Sequence, residues 1–324
     1  MKTSKTKILL ILLIILIEVI IFSAGTYAGY VLSAKDITYT KADGTTVSVE
    51  EALNELNEKI PEGATVTATT ATTHTAKAIT YSWDDLASIA QSISNNSSIT
   101  NDTAEVKVKL NGAENTIGVG DTITLDSKTV RILGFNHDEL ASSTAYGAAT
   151  ATGKAGISFE YVTILTSAQM NSSDTNSGGW GSCALRSTLN GTTYSGLSIK
   201  DKIKQVKKEY IQTYDSASSK TTSSDYLWLL SCGEIWSSGY NGGVTRGYAI
   251  ATEGSQYKYY KLGNPTYDSS TDYTKKPNTS SANNWWLRSP LYSSSRNFCF
   301  VNASGYCDGS HASSSDGVAP GFSI

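Results

Sequence analysis

Histidine, proline and charge are all scarce in this chain of 324 residues: three His, five Pro, and only 17% Asp, Glu, Lys and Arg. Soluble domains usually carry about 25% charged residues. Serine and threonine fill the gap, 84 residues between them. With His74, His137 and His311 as its only imidazoles, the chain has little with which to build a histidine metal centre. The formal net charge is −3 and no lysine or arginine run occurs, which argues against a polyanion groove and against nucleic acid as a partner. The four cysteines include no C-x-x-C, the spacing that structural zinc and thioredoxin-like chemistry need. The nearest approach to a phosphate-binding loop, Gly147 to Gly153-Lys154, is one residue too long and has Ala155 in place of the hydroxyl. No G-x-S-x-G, H-E-x-x-H or EF-hand loop is present. Asp308 and Asp316 read as turn residues rather than calcium ligands. Neither a cofactor nor a resident metal is expected, and no catalytic set stands out.

What is present begins with a membrane signal. Lys2, Lys5 and Lys7 precede an apolar stretch from Ile8 to Ala34, and Lys35-Asp36 follow it. As a helix these 27 positions would be about 40 Å long, enough to cross a bilayer. The lysines put the N-terminus in the cytoplasm and everything beyond Asp36 outside, at the cell surface. Cleavage after a small residue such as Ala28 would instead give a secreted chain. Glu18 within the stretch, and Gly25–Gly29 at small-xxx-small spacing, suit helix pairing in a homo-oligomer.

Residues 1–35 are therefore read as cytoplasmic lysines plus anchor, and 36–64 as a stalk. The stalk has a strand at Ile37–Thr40 and a helix capped by Ser48 with Glu51, striped by Leu53, Leu56 and Ile60. Residues 65–103 read as a solvated Thr/Ala linker to Lys77 and an amphipathic helix at Ser82–Ile93. From Ala104 to Ile324 the pattern predicts an α+β domain, mostly antiparallel, with two helices among many short strands. Strands are predicted at Glu105–Leu110, Asp121–Leu125, Thr129–Phe135, Ile157–Leu165, Tyr226–Leu230, Gly247–Ala251, Tyr257–Leu262, Trp285–Arg288 and Asn297–Val301. Asn111-Gly112 is a strong hairpin turn. Helices are predicted at Ser182–Leu189 and at Ile199–Tyr214, the second with its lysines on a wet face. In an exported chain four cysteines allow three disulfide pairings. Cys299 and Cys307 are near enough in sequence to bridge a hairpin, leaving Cys183 for Cys232; the alternative is four buried thiols.

The sharpest signal lies between Asn284–Pro290 and Gly317–Ile324. The window Leu291–Asp316 contains no Lys, Glu, Gln, Met or Trp. Those five residue types are encoded only by codons ending in a purine. Every residue that does occur can be written with a codon ending in a pyrimidine. Adenine-directed mutagenesis of AAY asparagine codons yields that alphabet.

The window resembles the variable region of a target protein of a diversity-generating retroelement. Ala104–Ile324 as a whole resembles a bacterial and prophage family known as a domain of unknown function. The matching landmarks are Val119–Thr122, Arg131–His137, Gly178-Gly-Trp180, Leu185-Arg186, Leu189-Asn190, Asp225–Ser231, Trp285–Pro290 and the closing Gly317–Phe322. The resemblance implies a C-type-lectin-like fold, distantly related to the formylglycine-generating oxidases, that displays a ligand-binding tip on a constant frame. The expected function is surface-displayed binding of an extracellular protein or glycan. Tyr292, Arg296, Phe300, Tyr306 and His311 would be the main contacts, with Ser294, Asn297, Ala303, Asp308, Ser310, Ser314 and Asp316 around them. In the strand Asn297–Val301, Cys299 and Val301 are expected to point inward and Phe300 outward. An oxidase relying on Cys299 and Cys307, or an undiversified structural surface protein, are the alternatives.

Overall fold

The computed structural model describes residues 37–40, 44–51, 63–214, 219–236, 253–263, 281–292 and 294–324. The membrane span expected at 8–34, the body of the stalk helix and the strand expected at Gly247–Ala251 lie outside the described residues. Among the described residues no helix is long and apolar enough to cross a membrane. The chain divides into two units, Met1–Glu62 and Gly63–Ile324. In the first, β1 (Thr38–Thr40) and β2 (Thr46–Ser48) form an antiparallel hairpin. Its exit carries the expected cap: Ser48 Oγ accepts from Glu51 N at 3.1 Å, and the Glu51 carboxylate accepts from Ser48 N at 2.9 Å.

The second unit is α+β with mostly antiparallel sheets and few helices. Helix α1 (Trp83–Ser94) starts at a capping box in which Ser82 and Asp85 each bond the other's backbone N–H. It buries Leu86, Ile89, Ala90 and Ile93, as the sequence period requires. Its backbone rests directly on residue 156. A Cβ there would lie 1.9 Å from the Ala90 carbonyl oxygen, so only glycine fits.

Three larger sheets make up most of the unit. The first runs β3 (Thr65–Ala68), β4 (Glu105–Leu110), β5 (Ala113–Gly118), with Asn111 and Gly112 both at positive φ in the tight β4–β5 turn. The Thr/Ala tract is thus a structural part of the unit and not a solvated linker. Thr65–Ala68 pairs with β4, and the imidazole of His74 is held between Glu105 (2.7 Å) and Asp121 (2.8 Å). Threonine favours strands when a partner is at hand, and composition alone hid that partner.

The second sheet has strand order β12-β17-β8-β7-β6: Leu227–Trp228, Gly321–Ser323, Ile157–Tyr161, Lys128–Phe135 and Thr122–Leu125. The third has order β15-β14-β13-β16-β9: Cys307–His311, Asn297–Val301, Trp285–Pro290, Asp316–Val318 and Thr166–Ala168. Its β13–β16 pair is parallel and the others are antiparallel. A ribbon of β10 (Val206–Ile211) and β11 (Lys220–Asp225) lies beside them. Helix α2 (Ala184–Thr188) falls where predicted, between a 3-10 turn at Gly179–Ser182 and a π-helical turn at Leu189–Thr193. A one-turn helix at Tyr194–Gly196 follows the π-helical turn, and short helices α3 (Cys232–Ile235) and α4 (Lys258–Gly263) come later in the chain.

Two predicted elements change type. Ile199–Tyr214 is no helix: Val206–Ile211 is a strand, with Val206, Lys208 and Tyr210 inside and Lys207 outside. Its apolar residues fit periods of both 3.6 and 2, and pairing with β11 selects the second. Tyr257–Leu262 is largely the helix α4 instead of a strand.

The frame is locked by buried charge. Lys208 Nζ lies 2.8 Å from Asp138 and 2.5 Å from Glu234, over the Trp228 ring, and donates to the Tyr257 hydroxyl at 3.0 Å. Arg288 continues the chain to Glu234 at 2.5 Å and donates to the Leu229 and Glu209 carbonyls. The flanking cations hold the carboxyls of Asp138 and Glu234 below their usual range against the opposing effect of burial. Ser158 and Ser323 also donate to Asp138, tying in β8 and the C-terminal strand.

A second buried carboxylate, Asp225, gathers several of the sequence landmarks. It accepts from Trp180 Nε1 at 3.0 Å, Arg186 Nε at 2.6 Å and Asn190 Nδ2 at 3.3 Å. Asn190 also accepts from Tyr226 N and donates to the Leu227 carbonyl. Gly178-Gly-Trp180, Leu185-Arg186 and Leu189-Asn190 are therefore one polar joint that fixes α2 to the start of β12.

A candidate ligand-binding tip

The tip is built from the edge of the third sheet. β15 is its outermost strand and pairs in register with β14, from Asn297 opposite His311 to Val301 opposite Cys307. The connecting turn is closed by Asn302, whose side-chain oxygen accepts from Ser304 N (2.9 Å) and Tyr306 N (3.1 Å), with Gly305 at φ +86°. Trp286 lies opposite Phe300 on β13, and the two rings meet edge to face at 6.3 Å.

Strand β14 is buried on both sides. Phe298 and Phe300 enter the core that contains Trp286, while Cys299 and Val301 enter the other core with Trp285 and Leu287. This corrects the expectation for Phe300, which points inward: the strand is interior, with β13 on one side and β15 on the other, and neither face meets solvent. Asp316 is corrected in the same way. It is buried in β16, paired opposite Ala168, with one carboxylate oxygen accepting from Asn284 Nδ2 at 3.3 Å.

The other predicted contact residues lie at the surface. Tyr292, Arg296, Ala303, Tyr306 and His311 are exposed, while Ser294, Asn297, Asp308, Ser310 and Ser314 are half-buried. Among the described residues, large exposed hydrophobics are Leu262, Tyr292 and Tyr306, two of them in this window.

Several of these residues converge on Asp174, which the sequence reading missed. Its carboxylate receives Ser313 Oγ, His311 Nδ1 at 2.9 Å and Arg296 Nη2 at 2.9 Å. These bonds hold the Asp174 carboxyl well below the usual carboxylate range, the Ser313 bond foremost. Asn176 donates to the Ser294 and Asn297 carbonyls at 2.6 and 2.7 Å, so one loop of the frame supports both ends of the display segment. Nothing in the polar run Asn171–Asn176 marks it from sequence as different from any other loop. Beside it opens a cleft of about 260 Å³, lined by Asp174–Ser177, Gln212–Tyr214 and Ser295. Its walls expose polar and apolar atoms in about equal measure.

The cysteines do not form the expected pairs. No disulfide joins any of the four, and all are buried. Cys183 donates to the Met170 carbonyl at 2.9 Å, and burial pushes its thiol up to about 11. Cys232, Cys299 and Cys307 instead cluster, with Cys232 and Cys307 sulfurs 3.8 Å apart. Spacing in sequence showed only the Cys299–Cys307 proximity, because Cys232 arrives from a distant segment.

Residues 153–324, just over half of the chain, match the family described as a domain of unknown function (DUF6273), and the chain belongs to that family. No curated protein and no solved structure matches it.

Proposed function

From that membership and this geometry we propose a surface-displayed binding protein, anchored through residues 8–34. On this reading its C-type-lectin-like domain presents the segment 291–316 to a protein or glycan on another cell or phage, and a retroelement diversifies that segment. The observation that carries the reading is the match between codon alphabet and burial. Ten of the twelve predicted contact positions are exposed or half-buried, nine on loops and the edge strand and Asn297 at the start of β14; most substitutions at surface positions cost within about ±0.5 kcal/mol. The invariant-looking flanks, Trp285–Pro290 and Gly317–Phe322, are buried strands. Exposed tyrosines among Ser, Asn and Asp are the composition of a paratope, in which rigid aromatic area is combined with adaptable hydrogen bonds.

Against the oxidase alternative stands the burial of Cys299 and Cys307 beneath the hairpin, away from the Asp174 cleft's lining. The test is to sequence the 3′ end of the gene across a population of the source bacterium, together with the neighbouring DNA. The expected result is variation at the ten surface positions, constancy at Trp285, Trp286, Cys299, Phe300, Val301, Gly305 and Asp316, and a nearby reverse transcriptase with a template repeat. Variation spread evenly along 104–324, or Lys and Glu codons arising in the window, would overturn the reading.

A further inference from the structure

Cys232, Cys299 and Cys307 come from three different segments: the start of α3, the middle of β14 and the first residue of β15. Their sulfurs all lie within 4.8 Å of one another, and all three side chains are buried in an apolar core. We propose that they form a three-coordinate site for copper(I), a structural clamp that fixes the turn end of the β14–β15 hairpin to the frame. This goes beyond the binding reading and does not depend on it.

Geometry separates this from a disulfide. An S–S bond needs about 2.05 Å, and the Cys232 and Cys307 sulfurs stand 3.8 Å apart. A metal with sulfur bonds of about 2.3 Å, placed at the centre of a triangle of sulfurs, sets them about 4.0 Å apart. With every sulfur within 4.8 Å of the others, an ion could enter with shifts of less than an ångström.

Donor type and number select the ion. Three thiolates and no oxygen or nitrogen donor make a soft set, which favours copper(I) or zinc over magnesium, calcium or manganese. Structural zinc takes four ligands. Among the described residues the cluster offers three, all cysteine, and three-coordination suits copper(I). Binding exchanges the thiol protons for the cation, and no electron moves because the metal enters as copper(I). The backbone of the first ligand is held in place from β13, where Ser289 Oγ accepts from Cys232 N at 3.0 Å. Sites this deep fill as the chain folds, so the hairpin and α3 would close around the ion.

The experiment refolds the reduced full chain without oxygen in the presence of copper(I) buffered by a chromogenic copper(I) chelator, then desalts it. The expected result is one copper per chain and a sulfur-only, three-ligand X-ray absorption spectrum. Thiol alkylation followed by peptide mass mapping should show Cys232, Cys299 and Cys307 protected by copper when the chain is opened in mild denaturant, and Cys183 unchanged. Cys307→Ser should lose the copper, whereas Cys183→Ser should keep it. The wild-type alkylation pattern decides the matter even if the variant fails to fold. No retained copper, a two-sulfur spectrum, a Cys232–Cys307 disulfide in the reduced preparation, or preferential zinc with a fourth ligand would each overturn the proposal.

Discussion

Glu253 gives the most direct physical test of the frame. Its carboxyl is fully buried, with one oxygen accepting from Ile211 N at 2.7 Å and the other from Ser289 Oγ. Burial pushes it up to about 7 from an ordinary 4.5, despite Arg288 and the two hydrogen bonds pulling the other way. The sign follows from linkage. The folded state holds this proton more tightly than the unfolded chain, so the contribution to stability is complete below pH 4.5. It is lost as pH rises through 7, because only the unfolded chain ionises without penalty over that interval. A shift of this size corresponds to about 3 kcal/mol, or roughly 6–12 °C in melting temperature for a domain of this length. Glu253→Gln keeps an acceptor for Ile211 N and cannot ionise. The expected outcome is a wild type that loses stability between pH 5 and 8 and a Gln variant in which that loss is absent, read by calorimetry or urea unfolding at each pH. Asp138 and Glu234 act oppositely, since their depressed carboxyls add stability that disappears only as pH falls below the ordinary carboxylate range. A wild type equally stable at pH 5 and 8, or a Gln variant with the same decline, would refute the reasoning.

Trp286→Ala removes a fully buried ring that meets Phe300 and donates to the Ala168 carbonyl at 2.8 Å, and should cost about 4 kcal/mol by chemical denaturation. Tyr306→Ala, at an exposed position, should stay within about 0.5 kcal/mol and change ligand binding alone; equal losses from the two would dissolve the division into frame and display. Lys208→Met leaves Asp138 and Glu234 buried around an uncharged side chain and should cost about 3–5 kcal/mol, measured in the same unfolding assay. Asp174→Ala should raise amide hydrogen exchange at 294–297 and 311–314 while the melting temperature holds, since it removes the common acceptor of Arg296, His311 and Ser313.

The strongly patterned pieces were legible before the structure: the Ser82 cap and stripe of α1, the Asn111-Gly112 turn, the whole of β14, and the buried Trp285-Trp286 pair. Each is determined by residues close in sequence. The failures share the opposite character. Val206–Ile211 carries an apolar spacing compatible with either period, and only β11, ten or more residues away, decides it. Lys208 reads as a solvated lysine until Asp138 and Glu234 arrive from segments 70 and 26 residues distant. His74 in a Thr/Ala tract gives no hint of Glu105 and Asp121 on either side of its ring. The same holds at the tip. Ten of the twelve positions chosen from composition lie at the surface and Phe300 and Asp316 do not, while Asp174, the common acceptor of Arg296, His311 and Ser313, gave no sign in the sequence.

On the proposed reading, the burial of both faces of β14 confines display to a narrow region. Alternation along a strand normally yields one variable face for every buried one. Here Phe298 and Phe300 fill one core and Cys299 and Val301 the other, so an inner strand of the third sheet has no face to offer. Only its outer neighbour does. β15 keeps Cys307 inside, leaves Asp308–Ser310 half-buried and exposes His311, and the turn and loops on either side of it are likewise half-buried or exposed at most positions. The edge also carries a hazard, since a strand with unpaired backbone groups invites pairing with another chain. Short length limits that hazard, as β15 has five residues and Gly309 sits at its centre over Leu291, where a Cβ would lie 2.5 Å from the leucine side chain. Packing against Leu291 therefore restricts position 309 to glycine although it lies inside the 291–316 window. The boundary between frame and display thus runs through individual residues of one strand, set by which of them have a core to fill.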